Sequence, residues 1–181
     1  MIAKVGHFTG TGMLLAAGFS LAGCLKSEQF PDQPVLTFKK LEQRFELNSP
    51  NDTQASLFLY VTVGFTDGDG DVGLDETDTQ SPFGQNEAHY FNFFCDFKKQ
   101  INGQWADINS SWSYRMKRIS PTGQDPTLNG EIQVRVGPYP GPRGLLDPPI
   151  HAGDTLQVNV RLEDRSLHMS NTVTSERFFL Q

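Results

Sequence analysis

The stretch TLQVNVRLED, residues 155–164, decides the fold class. Leu156, Val158, Val160 and Leu162 fall on one parity, and Gln157, Asn159, Arg161 and Glu163 on the other. Successive side chains of an extended chain point to opposite faces, so this alternation makes one dry face and one wet one. GEIQVRVG (130–137) repeats it with Ile132, Val134 and Val136. In SLFLYVTVGF (56–65), Leu57, Leu59, Val61, Val63 and Phe65 alternate with Phe58, Tyr60, Thr62 and Gly64, a strand that begins apolar on both faces. Faces of this kind are what antiparallel sheets packed against each other require.

Working outward, Asn102-Gly103 in KKQINGQWAD sits between two such runs, and both residues accept the positive φ of a two-residue hairpin turn. Seven or eight strands emerge, separated by Gly, Pro and Asn turns. Only FKKLEQRFEL (38–47) fits a helix, and it fits a bent first strand equally. The expected fold is all-β, an immunoglobulin-like antiparallel β-sandwich over residues 35–181, with many of the 14 Phe filling the space between sheets. GPYPGPRGLLDPPIHAGD (137–154) carries five prolines and four glycines and is expected to cross the surface without pairing as sheet. Cys95, alternating with Phe91, Phe93 and Phe97, reads as a small buried hydrophobe.

The first residues stand apart from this pattern. Lys4 and the apolar stretch at 12–23 have the plan of a secretory leader, too short for a comfortable membrane span. Leu21-Ala22-Gly23-Cys24 resembles the bacterial lipobox, in which the cysteine becomes the first mature residue and carries the lipid; an ordinary leader that happens to contain a cysteine is the plainer alternative. Residues 1–23 are thus expected to be removed, and 24–34, polar with two prolines, to tether Cys24 to the domain. The implied location is the cell envelope, as an outer-membrane lipoprotein, with its periplasmic or surface orientation open. The whole chain has 15 Lys and Arg against 21 Asp and Glu, a formal charge of −6. An acidic chain without a basic run argues against nucleic-acid partners and against electrostatic attachment to anionic lipid, leaving acyl chains as the membrane anchor.

The densest charge lies directly after an apolar strand, in FTDGDGDVGLDETD (65–78). Asp67, Asp69, Asp71, Asp75 and Asp78 occupy the spacing of a helix-flanked calcium loop, but Val72 stands where such a loop needs glycine, Asp78 where it needs glutamate, and a strand precedes it. A loop site on a sandwich remains, to which Asp164 in EDRSLHMSNTV would add a ligand from far along the chain. The candidate ligands are Asp67, Asp69, Asp71, Asp75 and Asp164, and the candidate ion is Ca2+. The alternative is Arg165 neutralising the aspartates with no metal.

The lipobox, the DGDGDVG turn, the NG hairpin, GEIQV and the closing DRSLHMSNTV together resemble a family of small outer-membrane lipoproteins of Bacteroidota-type bacteria, over about residues 34–181. The resemblance implies an immunoglobulin-like domain carrying DGDGDxG at Asp67 to Gly73 and DRxxxxSN at Asp164 to Asn171. It brings no activity with it. His89, His151 and His168 lie on three separate segments, and no nucleophile elbow, zinc-protease helix, P-loop or dinucleotide fingerprint occurs. The expectation is a non-enzymatic module that binds an outer-membrane protein partner. The alternative is a glycan-binding lipoprotein of a nutrient-uptake system, for which Trp105, Trp112, Tyr114 and Tyr139 are the candidate platform residues, each also readable as core packing.

Overall fold

A computed structural model of the chain describes residues 29–47, 49–121, 126–139 and 150–181. Eight strands are present among them: β1 (Val35–Glu46), β2 (Ser56–Asp67), β3 (Phe93–Ile101), β4 (Gln104–Tyr114), β5 (Leu128–Tyr139), β6 (Thr155–Leu162), β7 (Val173–Thr174) and β8 (Phe178–Phe179). They form two antiparallel sheets. One has the order β1-β2-β5; the other has β4-β3-β6-β7, with β8 also pairing to β6. The chain crosses between sheets from β2 to β3, from β4 to β5 and from β5 to β6. No helix occurs among the described residues.

The core is what the alternation anticipates. Leu57, Leu59, Val61, Val63 and Phe65 of β2 meet Phe93, Cys95 and Phe97 of β3 and Leu156, Val158, Val160 and Leu162 of β6. Each fully buried side chain of this size contributes about 1.5–3 kcal/mol of transfer free energy. Cys95 is buried and unbridged, and desolvation pushes its thiol far above the ordinary range, so it serves as packing.

Three ambiguous stretches resolve in physical terms. FKKLEQRFEL is strand, and the register shift between Phe38 and Lys40 bends β1 so that Leu41 pairs with Val61 and Phe45 with Leu57. The second apolar face at the start of β2 is covered by cations rather than by another layer. The Arg135 guanidinium lies 3.5 Å from the Phe58 ring centroid, leaving Phe58 only 1% exposed, and Arg44 lies 4.3 Å from that of Tyr60. The Tyr60 hydroxyl donates to Glu46 at 2.7 Å. The glycine–proline stretch, expected not to pair at all, keeps its first residues in β5: Tyr139 pairs with Leu57 across a register shift, with Gly137 at φ 129°. The Asn102-Gly103 hairpin forms as expected, with φ of 51° and 80°.

The register gathers six strand ends at one pole. Val35 pairs near Thr66, Asp67 with Leu128, and Phe93 with both Tyr114 and Leu162. The loops carrying 68–92 and 163–172 leave from that pole, whereas the Asn-Gly hairpin lies at the other. The leader, Cys24 and most of the tether fall outside the described residues, as do residues 140–149.

Candidate metal centre at the acidic pole

The acidic loop is built by alternating two jobs. Val72 and Leu74 bury their side chains in the core and pair their backbones to the strand-like run after β4: Ile119 N–H donates to Val72 O at 2.9 Å, Leu74 N–H to Met116 O at 3.0 Å, and Arg118 N–H to Leu74 O at 3.1 Å. The glycines let the loop lie against other backbone. A Cβ on Gly70, where φ is 70°, would sit 1.8 Å from the Pro126 carbonyl oxygen; one on Gly73, at φ 91°, would sit 2.3 Å from that of Lys117. Gly73 therefore makes the turn that the helix-flanked calcium loop assigns to the preceding position.

The aspartates between these glycines converge. One carboxylate oxygen from each of Asp67, Asp69 and Asp71 lies within 4.8 Å of the others, and the three could hold a metal ion. Asp67, the last residue of β2, is fully buried. Its Oδ2 accepts the Asp71 N–H at 3.0 Å, but its Oδ1 has no donor among the described residues. Asp71 shows the same split: Oδ2 accepts from the Ser166 hydroxyl at 2.7 Å, and Oδ1 is buried without a donor. Asp69 is exposed. Burial, with the neighbouring carboxylates of Asp69, Asp71 and Asp164, pushes the Asp67 carboxyl to about 7. Burial and the charges of Asp71 and Asp32 also raise Asp69.

The other two candidate ligands are held differently. Asp164 is fully buried beside the cluster, and its charge reaches Asp67 and Asp71. Its oxygens are engaged by His168, the backbone N–H at 2.8 Å on Oδ1 and the ring Nδ1 at 3.1 Å from Oδ2. Asp164 thus shapes its own loop, in which Leu167 takes φ 69°. Asp75 is not brought into the group: its carboxylate pairs with Arg118 at 3.3 Å. Asp78, the twelfth position of the counted loop, pairs with Arg165 at 2.7 Å, which holds its carboxyl below the ordinary range. Arg165 thus pairs directly with Asp78, and its charge also reaches Asp75 and Asp71, while among the described residues no cation makes an ion pair within 4 Å with Asp67, Asp69 or Asp71.

Arg115 escapes a reading of the sequence because its partners are carbonyls. Its guanidinium donates to the oxygens of Phe83 and Tyr90, both at 3.1 Å, of Asp75 at 3.3 Å and of Asp78 at 2.7 Å, and lies 4.9 Å from the Tyr90 ring centroid. It thereby folds residues 75–90 over the pole. The only forewarning is a cation directly after a strand, opposite a long connection without apolar periodicity.

Of the aromatic candidates, Trp112 packs against the core with Tyr114, whose hydroxyl donates to Arg135 O at 2.8 Å, while Trp105 is 38% exposed beside the hairpin. The Tyr139 side chain is outside what the structure describes. No protein-family model matches the chain, and neither a curated protein nor a solved structure is significantly similar to it.

Proposed function

We propose that the chain is a lipid-anchored, non-enzymatic envelope lipoprotein whose sandwich is a Ca2+-stabilised interaction module, an accessory subunit of an outer-membrane protein assembly. The observation that carries the calcium reading is Asp67: a fully buried carboxylate with one oxygen lacking a donor, set within reach of two further carboxylates and making no ion pair itself among the described residues. Calcium takes six to eight hard oxygen ligands, and the donors here are all oxygens. Asp67, Asp69 and Asp71 would hold the ion, which supplies the positive charge that the site lacks. The protein's own part is fixation: Val72 and Leu74 pin the loop to the core, and Ser166 ties Asp71 to the last long loop. A filled site would stiffen one end of the sandwich into a defined edge for a partner.

Lipid anchoring at Cys24 rests on the lipobox in the sequence, and the resemblance to Bacteroidota-type lipoproteins on the DGDGDVG and DRSLHMSN motifs. The immunoglobulin-like assignment draws support from three strands, β1-β2-β5, facing β4-β3-β6-β7 with crossing connections. The non-enzymatic reading draws support from the histidines, each paired with an acid that is itself hydrogen-bonded or buried: His89 with Glu163, His151 with Asp154 and His168 with Asp164. The exposed Trp105 favours glycan binding as the second reading.

Calcium titration by calorimetry should give a saturable heat that Asp67→Asn abolishes; no heat and no shift in melting temperature would defeat the calcium reading. Pull-down from native membranes in mild detergent should recover an outer-membrane protein. A glycan array bound through Trp105 instead, with no membrane partner, would replace the leading reading by the second.

A further inference from the structure

The seam between β1 and the last two strands is tied at its ends and open between them. At the acidic pole the Gly68 N–H donates to the Pro31 carbonyl at 2.8 Å, and Asn171 grips Leu36, accepting its N–H at 2.7 Å and donating to its carbonyl at 3.0 Å. At the far pole the Gln43 side chain donates to the Phe179 carbonyl at 2.7 Å and accepts the Gln181 N–H at 3.0 Å. Midway, both walls of the seam are interrupted. The register shift in β1 brings Lys39 and Lys40 out on one side, Lys39 with its stem over Gly64 and Lys40 opposite Thr62. Between β7 and β8, buried Ser175 turns inward, donating its N–H to Val158 O at 2.9 Å and accepting the Val158 N–H on its hydroxyl at 3.0 Å. Glu176 and Arg177 are left exposed. The opening is a groove of about 590 Å3, with Phe38, Leu41 and Phe178 as its apolar walls and Lys39, Lys40, Glu176 and Arg177 along its rims. That volume lies in the range of sites that take a ligand.

Charge sets this groove apart. The chain carries −6 overall, and every other Lys and Arg of the described residues bonds to a carboxylate or a backbone carbonyl. Lys39 and Arg177 are the two whose side chains do neither among the described residues, and both are exposed on this one groove, on opposite rims. Lys40 reaches Glu42 at 3.1 Å, but Arg44 takes the same carboxylate at 2.6 Å, so one acid answers two cations. An acidic chain that keeps its uncommitted cations over an apolar cleft is the complement of a segment that is both acidic and apolar. β1 is also the edge of its sheet, which leaves outward N–H and C=O groups to an extended backbone.

We propose that this groove docks an extended acidic segment of a protein partner. Its carboxylates meet Lys39 and Arg177, and its alternate apolar side chains enter between Phe38, Leu41 and Phe178. The inference rests on the reading of the domain as an interaction module and names where the partner sits; it is independent of the calcium site.

A random-peptide display library, selected on the unaltered protein, supplies the probes. Each selected peptide is measured by fluorescence anisotropy against that protein, against the double variant Lys39→Glu, Arg177→Glu and against Arg177→Lys. Both positions are exposed, so the variants keep the fold. The expected peptides alternate Asp or Glu with apolar residues, bind the double variant about tenfold or more weakly, and bind Arg177→Lys within about twofold of the unaltered protein. The double variant should also fail to recover the membrane protein that the unaltered domain pulls down. Peptides without acidic bias, or affinities that the double variant leaves unchanged, overturn the proposal. A native partner still recovered by the double variant places the interaction elsewhere and leaves the module reading standing. Vesicles of anionic phospholipid bound in place of acidic peptides, or a dimer dissolved by the double variant, would give the groove to a lipid or to a second copy instead. No selected peptide and no native partner removes both readings.

Discussion

Replacing Asp67 with asparagine takes one charge from the acidic pole while leaving an oxygen to accept the Asp71 N–H. Its effect on stability should depend on pH in a direction opposite to that of most carboxylates. Burial, with the neighbouring acids, pushes the Asp67 carboxyl from 3.8 to about 7 in the metal-free fold. In the unfolded chain it titrates near its ordinary value, so between those two pH values the folded protein holds a proton that the unfolded chain has lost. Stability is then fully present below the unfolded value and falls as pH rises, by up to about 1.4 kcal/mol per pH unit and about 4 kcal/mol over the whole window. Asp69 and Asp164, both raised chiefly by burial, tilt the curve the same way. Asp78, lowered chiefly by its hydrogen bond from Arg165, works in the opposite direction, but its contribution is lost only as pH falls below the ordinary carboxylate range. On the proposed reading calcium takes the place of the proton, so its stabilisation should grow over the same interval in which the chelated protein weakens. Urea unfolding at about pH 5 and about pH 8, with chelator or with calcium, reads both effects. The unaltered protein should lose stability towards pH 8 in chelator and regain it with calcium; Asp67→Asn should show little of either. A chelated protein as stable at pH 8 as at pH 5, or a calcium effect equal at both, would refute the reasoning.

Arg115→Met removes the donors to four carbonyls and should cost about 2–4 kcal/mol, with faster proteolytic cutting within 75–90 while the β2–β5 ladder keeps its exchange protection. Gly70→Ala meets the Pro126 carbonyl at 1.8 Å and should cost more than about 2 kcal/mol, whereas Gly103→Ala, with nothing within 4 Å and only its positive φ against it, should cost about 1 kcal/mol; equal midpoints in urea would contradict the close approach at Gly70. Cys24→Ser should abolish palmitate labelling of the chain, and labelling that survives would remove the lipid anchor.

Period two made the sheets legible, because burial acts on every second residue of a strand and leaves its mark directly in residue type. It failed where an outward face is covered by something other than a layer: Phe58 and Tyr60 look like core from their neighbours in sequence, and only register places Arg135 and Arg44 over them. The helix-or-strand ambiguity at 38–47 has the same origin. A bulge between Phe38 and Lys40 shifts parity midway, and a broken period of two imitates a longer one. At the acidic pole, the carboxylates of Asp67, Asp69 and Asp71 converge as their spacing suggests, since alternate glycines allow close approach. The spacing included Asp75 because linear distance cannot foresee that Arg118, 43 residues on, takes that carboxylate. It missed Arg115 and the segment at 30–36 because their bonds end on backbone atoms, which every residue type carries alike.

The buried polar groups of this pole show why Asp67 differs from its neighbours. Asn92, Glu163, Asp164 and Ser170 are buried with it, where the strand ends leave backbone that needs partners. Asn92 accepts the Met116 N–H through its side-chain oxygen and gives its carbonyl to Glu163 N–H, though its Nδ2 is buried without a partner among the described residues; Ser170 accepts the Leu162 N–H and donates to Asn171 O. Glu163 faces His89 at 2.9 Å, and Asp164 faces His168 at 3.1 Å, so each of these buried acids has an imidazole able to balance it. Asp67 has one backbone amide and two more carboxylates. A fold that partners its other two buried acids here with imidazole has left the third among acids only, and burial of an unbalanced charge costs several kcal/mol unless it is protonated or paired. Protonation serves below neutral pH and fails above it. On the proposed calcium reading, an external cation serves where the proton does not, at the point on which the three carboxylates converge.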